Sequence, residues 1–315
     1  MGAVAAKLEK KQYQHGDVIM EVRNLTKYFP VRLSFIQSLK TDKPPVLKAV
    51  DNVSFDVYKG EVLGIVGESG CGKTTLARTI LRLTDATSGS VALEDVDIMK
   101  LNPIEMKNLL RKMQVIFQDP YESMNPRMDV QTIISEPLRI QGIASTVHQA
   151  RDVVASVLAD VEMIPPEEYM SRYPHELSGG QRQRVAVARA LALDPDFIVA
   201  DEPVSMLDVS IRGEVLNLML NLSREKGVTF VYITHDLATA RHICDRIAVM
   251  YLGKIVEMGT AEEVIRNPLH PYTTALIGAV FVPDPTHRGI SEVLKGAIPS
   301  PVNPPSGCHL HPRCP

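Results

Sequence analysis

The run Gly67-Glu68-Ser69-Gly70-Cys71-Gly72-Lys73-Thr74-Thr75 matches the spacing G-x-x-x-x-G-K-[ST]. Its chemistry is phosphate binding. Glycines let consecutive backbone N–H groups curl around an anion, and the N-terminus of a following helix adds its positive dipole end. Lys73 is placed to reach the β- and γ-phosphates of a nucleotide, and the Thr74 hydroxyl to ligate Mg²⁺.

Phe197-Ile-Val-Ala-Asp201-Glu202 offers the complementary chemistry. Four apolar residues predict a buried strand with Asp201 at its carboxyl end, where a carboxylate holds Mg²⁺ through water. Glu202 follows directly and is positioned to polarise an attacking water. A third element is Leu177-Ser178-Gly179-Gly180-Gln181. Ser178 is a good N-cap for a helix over Gln181–Leu191, and Gly179 and Gly180 leave the first N–H groups of that helix open to a second anion.

The LSGGQ run, taken with the phosphate loop, resembles the ATP-binding subunits of ABC transporters, over nearly the whole chain from about residue 18 onward. The resemblance implies ATP and Mg²⁺ as cofactors and assigns further roles. Phe29, two residues after Lys27, matches the aromatic that stacks on adenine, with Tyr28 as the adjacent alternative. Gln118 matches the glutamine that contacts Mg²⁺ or water and senses the membrane partner. Ser205-Met206-Leu207-Asp208 matches the loop that crosses the dimer interface, although Ala is more usual at 206. His235 matches the histidine that contacts the γ-phosphate. The implied catalytic set is Glu202, His235, Gln118 and Lys73, with Thr74, Gln118 and Asp201 around Mg²⁺.

Arg172-Tyr-Pro-His-Glu-Leu-Ser-Gly-Gly-Gln181, Phe117-Gln-Asp-Pro120, Met124-Asn-Pro-Arg127 and Asn267-Pro-Leu-His-Pro-Tyr272 look like oligopeptide/dipeptide permease ATPases. Lys48-Ala-Val-Asp51 and Pro299-Ser-Pro-Val-Asn-Pro-Pro-Ser-Gly-Cys308 look most like their F-type subunit. The implied assembly is a head-to-tail pair of ATP-binding subunits, a homodimer or a heterodimer with a D-type paralogue. It docks peripherally on two membrane-spanning permease subunits at the cytoplasmic face and is served indirectly by an extracytoplasmic solute-binding protein. Some such tails hold an iron–sulfur cluster. Cys308 and Cys314, in Cys-His-Leu-His-Pro-Arg-Cys, are then either ligands of a 4Fe-4S cluster or two free thiols, a cubane cluster usually taking four thiolates. The alternatives are a soluble ABC-type ATPase acting on nucleic acid or ribosomes, and an importer subunit for sugars or metal chelates.

These residues need elements to hold them. Short apolar stretches alternating with amphipathic ones predict an α/β chain. Strands are expected at Val18–Val22, around Val53–Val57, at Val62–Val66, Val115–Phe117, 197–200, 228–233 and 246–251. Helices are expected from about Lys73, near 209–225 and near 236–243, with an almost entirely helical block over about 129–192. Residues 31–47 read as a loop or hairpin insertion. The resemblance implies an ABC ATPase fold: a RecA-like P-loop NTPase core with an antiparallel β subdomain and an inserted helical subdomain. The expected division is an N-terminal extension over 1–17, the ATPase domain over 18–258, and a permease-type extension over 259–315. Eight of the 22 prolines fall in the last 35 residues, which excludes regular helix or central strand there.

Composition sets the outer bounds. Hydrophobic residues are 45% and charged residues 23% of the 315, which excludes a disordered chain. The net charge of −3 lacks the basic excess of a duplex-binding protein, so no nucleic-acid partner is expected. No apolar run reaches the length of a membrane span, and the N-terminal MGAVAAKLEKK lacks the apolar region of a leader. Four cysteines, at 71, 244, 308 and 314, are too few for a disulfide framework and suit a reducing setting.

Overall fold

The computed structural model describes residues 16–31, 45–279 and 294–315. β1 (Val18–Pro30), β2 (Val46–Tyr58) and β3 (Val62–Val66) lead to α1 (Lys73–Ile80), then β4 (Ser88–Leu93) and β5 (Val96–Asp97). After α2 (Pro103–Leu109) and β6 (Met113–Ile116) come α3 (Pro120–Ser123), α4 (Val130–Ile140), α5 (Arg151–Asp160), α6 (Pro166–Met170) and α7 (Gly179–Leu191). The chain continues through β7 (Phe197–Asp201), α8 (Val209–Lys226), β8 (Thr229–Thr234), α9 (Leu237–Ile243) and β9 (Arg246–Tyr251). It then forms β10 (Lys254–Thr260), α10 (Ala261–Arg266) and α11 (Pro271–Ala279).

The described residues divide into two compact units. One comprises 16–17, 58–61 and 101–231, and the other 18–31, 45–57, 62–100, 232–279 and 294–315.

In the unit that holds β3, an antiparallel sheet runs in the order β2-β1-β4-β5. Met20 sits opposite Leu93 and Val22 opposite Val91, and the register slips between Arg23 and Thr26. Asn24, inside that slip, takes φ +48, a conformation asparagine tolerates better than most residues. The insertion expected at 31–47 has residues 32–44 outside the described ones, and its ends are joined by the Val31 N–H donating to the Pro45 carbonyl at 2.9 Å. β3 is buried at all five positions, as an apolar strand covered on both faces must be. It runs parallel to β9, Val66 opposite Val249, and β10 lies antiparallel on β9. β4, β5 and β10 were not among the expected strands. The described end of the chain, 294–315, holds neither helix nor strand, as its prolines require.

In the other unit β6 and β7 pair in parallel, Met113 opposite Phe197 through Ile116 opposite Ala200. The helical stretch packs through α4, α5 and α7, whose facing residues Ile133, Ile134, Val154, Leu158, Val185 and Val187 are buried. Asp129 caps α4 by accepting from the Thr132 N–H at 2.8 Å. The arginines of α7 tie the block together. Arg189 bonds the Glu136 carboxylate and the Ser123 carbonyl, each at 2.8 Å, and Arg184 pairs with Glu162 at 2.8 Å and Glu214 at 3.3 Å.

Candidate functional site

In the unit carrying β3, the strand ends at Val66 and the chain loops through residues 67–72 into α1. Gly72 is the N-cap of α1 at φ +109, and a Cβ built there would stand 2.0 Å from the Ala49 carbonyl oxygen. Only glycine fits. α1 has no side-chain cap, so its first N–H groups face outward for an anion rather than for a capping oxygen. Lys73 is 5% exposed, and its Nζ donates to the Gly67 carbonyl at 2.8 Å and the Glu68 carbonyl at 3.0 Å. The ammonium therefore lies along the loop. Ser69, Gly70 and Thr74 are exposed, and Thr75 is half-buried. Burial pushes the Cys71 thiol up, against the opposing charge of Lys73, so Cys71 is a neutral filler under the loop.

The same unit carries the aromatic pair of β1 and the histidine after β8. The Tyr28 hydroxyl donates to Asp51 at 2.5 Å, and burial followed by that bond pushes its pKa up to about 12. Phe29 is 37% exposed, with the Lys27 ammonium 4.8 Å from its ring centre. Tyr28 is thus tied down by its hydroxyl, while Phe29 presents an open ring face. His235 is exposed between Thr234, which ends β8, and Asp236, whose carboxylate caps α9 by accepting from the Ala238 N–H at 2.9 Å.

In the unit carrying β7, the strand delivers Asp201 buried at its carboxyl end and Glu202 one residue beyond. Glu202 takes φ +46, a left-handed backbone that costs a non-glycine residue of order 1–3 kcal/mol. The turn that holds it there is closed by the Ser205 hydroxyl donating to the Glu202 carbonyl at 2.9 Å. Ile116 faces Ala200 in the β6–β7 pair, so two residues further on Gln118 arrives beside Glu202, and its amide donates to the carboxylate at 3.3 Å. The strained backbone at Glu202 had no signal in the residue types.

Ser178 caps α7 through a full capping box. Its hydroxyl accepts from the Gln181 N–H at 3.3 Å, and the Gln181 side-chain oxygen accepts from the Ser178 N–H at 3.0 Å. The expectation that both glycines serve to open the helix end is met in part. Gly180 is buried, and a Cβ there would stand 2.5 Å from Ile211 Cγ2 on α8, so its first duty is close helix packing. Asp208 is exposed and begins α8 without a side-chain cap bond, and Met206 and Val209 beside it are 67% and 82% exposed.

The tail corrects one expectation. No group of three or more His, Cys, Asp or Glu side chains fit to hold a metal occurs among the described residues. Cys308 and Cys314 are exposed free thiols. His309 is 7% exposed and turns its Nδ1 to the Leu252 carbonyl at 3.1 Å, and His311 turns its own to the Cys308 carbonyl at 3.0 Å. A carbonyl only accepts, so both Nδ1 atoms carry hydrogen. Nothing among the described residues supports the iron–sulfur reading. Among the described residues no helix is long and apolar enough to cross a membrane.

Comparison with known proteins supplies the context for these residues. The family described as ABC transporter matches residues 50–205, and the one described as Oligopeptide/dipeptide transporter, C-terminal region, matches residues 256–315. The chain is 49% identical to a probable peptide ABC transporter ATP-binding protein, y4tS, of Sinorhizobium fredii, over 95% of this chain and 83% of that protein. It is 48% identical to the oligopeptide transport ATP-binding protein AppF of Bacillus subtilis, over 95% of this chain and 90% of that protein. These relatives weigh against the nucleic-acid and ribosome alternative. Among solved structures, the dimeric post-hydrolysis state of the ATP-binding cassette MJ0796 bound to ADP and Pi aligns with TM-score 0.66 at 29% identity, covering 77% of this chain and 98% of that one. The phosphate loop, the strand-end carboxylates and the capped LSGGQ helix are therefore those of an ABC ATPase fold, and the chain belongs to the ATP-binding proteins of ABC transporters.

Proposed function

We propose that the chain hydrolyses ATP to power the import of oligopeptides or dipeptides, as the F-type member of a pair of ATP-binding subunits seated peripherally on two membrane-spanning subunits at the cytoplasmic face. The observation that carries the reading is the uncapped N-terminus of α1 behind the glycine-walled loop, with buried Lys73 laid along it. That arrangement favours a polyphosphate and is wasted on a neutral ligand. The match of residues 256–315 to the oligopeptide/dipeptide C-terminal region supports the peptide class.

Each residue takes a defined share. The N–H groups from Gly70 to Thr75 and the Lys73 ammonium bind the phosphates, and Phe29 stacks on the adenine. Glu202 orients the attacking water, which Gln118 helps to fix through its bond to the same carboxylate. His235 contacts the γ-phosphate. Thr74 in one unit, and Gln118 and Asp201 in the other, carry hydroxyl, amide and carboxylate oxygens, the donor chemistry that suits Mg²⁺. Those residues would hold Mg²⁺, which would supply positive charge against the phosphates. Ser178, Gly179, Gly180 and Gln181 serve the nucleotide of a facing subunit, with Asp208 and the exposed Met206 at the contact between subunits. Closure of the pair excludes water and strengthens every charge interaction with the phosphates. Hydrolysis leaves two anions that repel and favour opening.

The experiment is reconstitution with the membrane subunits recovered by pull-down. Peptides, presented with the cognate binding protein, are expected to raise phosphate release severalfold in vesicles. Stimulation by sugars or metal chelates instead overturns the peptide assignment, and no phosphate release under any condition overturns the ATPase.

A further inference from the structure

The segment matched by the oligopeptide/dipeptide C-terminal region reaches back onto the phosphate loop, within one compact unit. Three contacts converge on Glu68, the second residue of the loop. Its backbone N–H donates to the Tyr272 hydroxyl at 2.9 Å. Its carboxylate pairs with the Arg313 guanidinium at 3.5 Å. Its carbonyl receives the Lys73 ammonium at 3.0 Å. The peptide of Glu68 is thus gripped by the tail on one side and by the phosphate-binding lysine on the other.

The Tyr272 side of the grip is a hydrogen bond and the Arg313 side a longer ion pair, in which Glu68 Oε2 and Arg313 Nε have no hydrogen-bond partner among the described residues. Tyr272 is fully buried, its ring 4.6 Å from that of Tyr251, and the Arg313 guanidinium also donates to the Tyr251 hydroxyl at 3.5 Å. Arg313 is 8% exposed, although a buried guanidinium is costly unless paired. Leu310 is 1% exposed, and the His309 ring donates to the Leu252 carbonyl at 3.1 Å. One residue on, the Gly253 N–H donates to the Cys71 carbonyl of the loop at 2.8 Å. The tail also accepts from β2, where the Lys48 N–H donates to the Pro301 carbonyl at 3.0 Å. A segment without helix or strand is fastened at separate points around the loop.

We propose that Tyr272 and Arg313 are positioning residues for the phosphate loop, holding the Glu68 peptide and with it the carbonyls that seat Lys73. Nucleotide affinity then depends on the docked tail. Neither residue touches the nucleotide, and their effect passes through Glu68. By linkage, whatever the docked tail adds to ATP affinity, ATP returns to tail docking.

The proposal rests on the loop being the ATP site, and the test separates the two. In the full-length protein, Tyr272→Phe removes one hydroxyl and Arg313→Met removes the charge while keeping the bulk. Loss of the hydrogen bond predicts a rise in KM for ATP of about three- to tenfold for Tyr272→Phe, and loss of the 3.5 Å ion pair a smaller rise for Arg313→Met, with kcat changed less than about twofold in both. Leu310→Ala loosens the tail packing without touching Glu68 and serves as the comparison. If it raises KM as much as Tyr272→Phe at an equal loss of melting temperature, the effect is general stability and the positioning role is overturned. Unchanged KM in Tyr272→Phe and Arg313→Met also overturns it, while Lys73→Ala still abolishes ATP binding. ATP binding that survives Lys73→Ala overturns the site itself.

Discussion

Gln118 and Glu202 lie two residues past the same rung of the parallel β6–β7 pair, and the amide of one donates to the carboxylate of the other at 3.3 Å. The contact follows from strand register, with no flexible segment to adjust it. It couples the residue proposed to orient water to the loop that leads into the helical stretch. Glu202 is held there on a left-handed backbone, a cost retained where a side chain must point one way.

Glu202→Gln keeps the shape and an acceptor for Gln118 but removes the proposed base. Phosphate release is expected to fall by about 100-fold or more, with ATP affinity within about twofold of the parent. Equilibrium nucleotide titration beside a phosphate-release assay reads both. Full turnover in the variant excludes Glu202 from the reaction.

Ser178→Arg removes the hydroxyl that caps α7 and puts a long cation at the helix start. Loss of the cap costs about 1 kcal/mol of stability, which the remaining packing of α7 absorbs. Nucleotide binding by the single subunit stays intact, because the phosphate loop belongs to another part of the chain. ATP-dependent dimerisation, followed by light scattering, is expected to disappear. Unchanged dimerisation contradicts a head-to-tail pair.

Gly72→Ala forces a Cβ to within 2.0 Å of the Ala49 carbonyl and a side chain onto φ +109. Backbone strain alone is of order 1–3 kcal/mol, and the clash with main chain adds to it. A lower melting temperature and a large loss of ATP affinity are expected together. A variant that melts and binds like the parent refutes the loop geometry.

The Tyr272 N–H donates to His270 Nδ1 at 3.2 Å, and the Glu257 carboxylate accepts from the Leu269 N–H at 2.8 Å and the His270 N–H at 3.0 Å. Burial holds the His270 pKa below its ordinary value near 6.5, with Glu257 pulling the other way. A histidine depressed in the fold binds fewer protons there than when unfolded. Its stabilisation is complete above about pH 6.5 and is lost as pH falls through the folded value. Hydrogen-exchange protection over α11, corrected for the intrinsic exchange rate at each pH, is therefore expected to fall between pH 7.5 and 5.5. His270→Asn keeps an acceptor at that point without the titration, and the pH step shrinks. An identical step in both proteins assigns it elsewhere.

Much of the site is legible in residue type and spacing. Gly67 to Thr74 needs a buried strand before it and a helix after it, and Val62–Val66 and Lys73–Ile80 are those elements. Asp201 and Ser178 also sit where the apolar run and the cap predict, at the last residue of β7 and the N-cap of α7. What escaped is what lacks periodicity. β10 is intermediate or exposed at every position, so it shows no alternation. β4 opens on two exposed residues, one of them glycine, and β1 runs past its expected end because the slip at Arg23–Thr26 breaks the pattern of two. The hold of Tyr272 and Arg313 on Glu68 left no trace in local composition, since its partners are remote in sequence and its segment is too rich in proline to carry a pattern.

That remoteness bears on timing. The Glu68 amide and the Tyr272 hydroxyl are 204 residues apart in the chain. At a synthesis rate of about 5–20 residues per second, the loop leaves the ribosome roughly 10–40 s before the hydroxyl that grips it has been made. Closing so wide a loop also carries an entropy cost before any contact rewards it, which delays the bond within folding itself. A nascent subunit therefore carries the GxxxxGKT residues for a period before the segment that grips Glu68 exists.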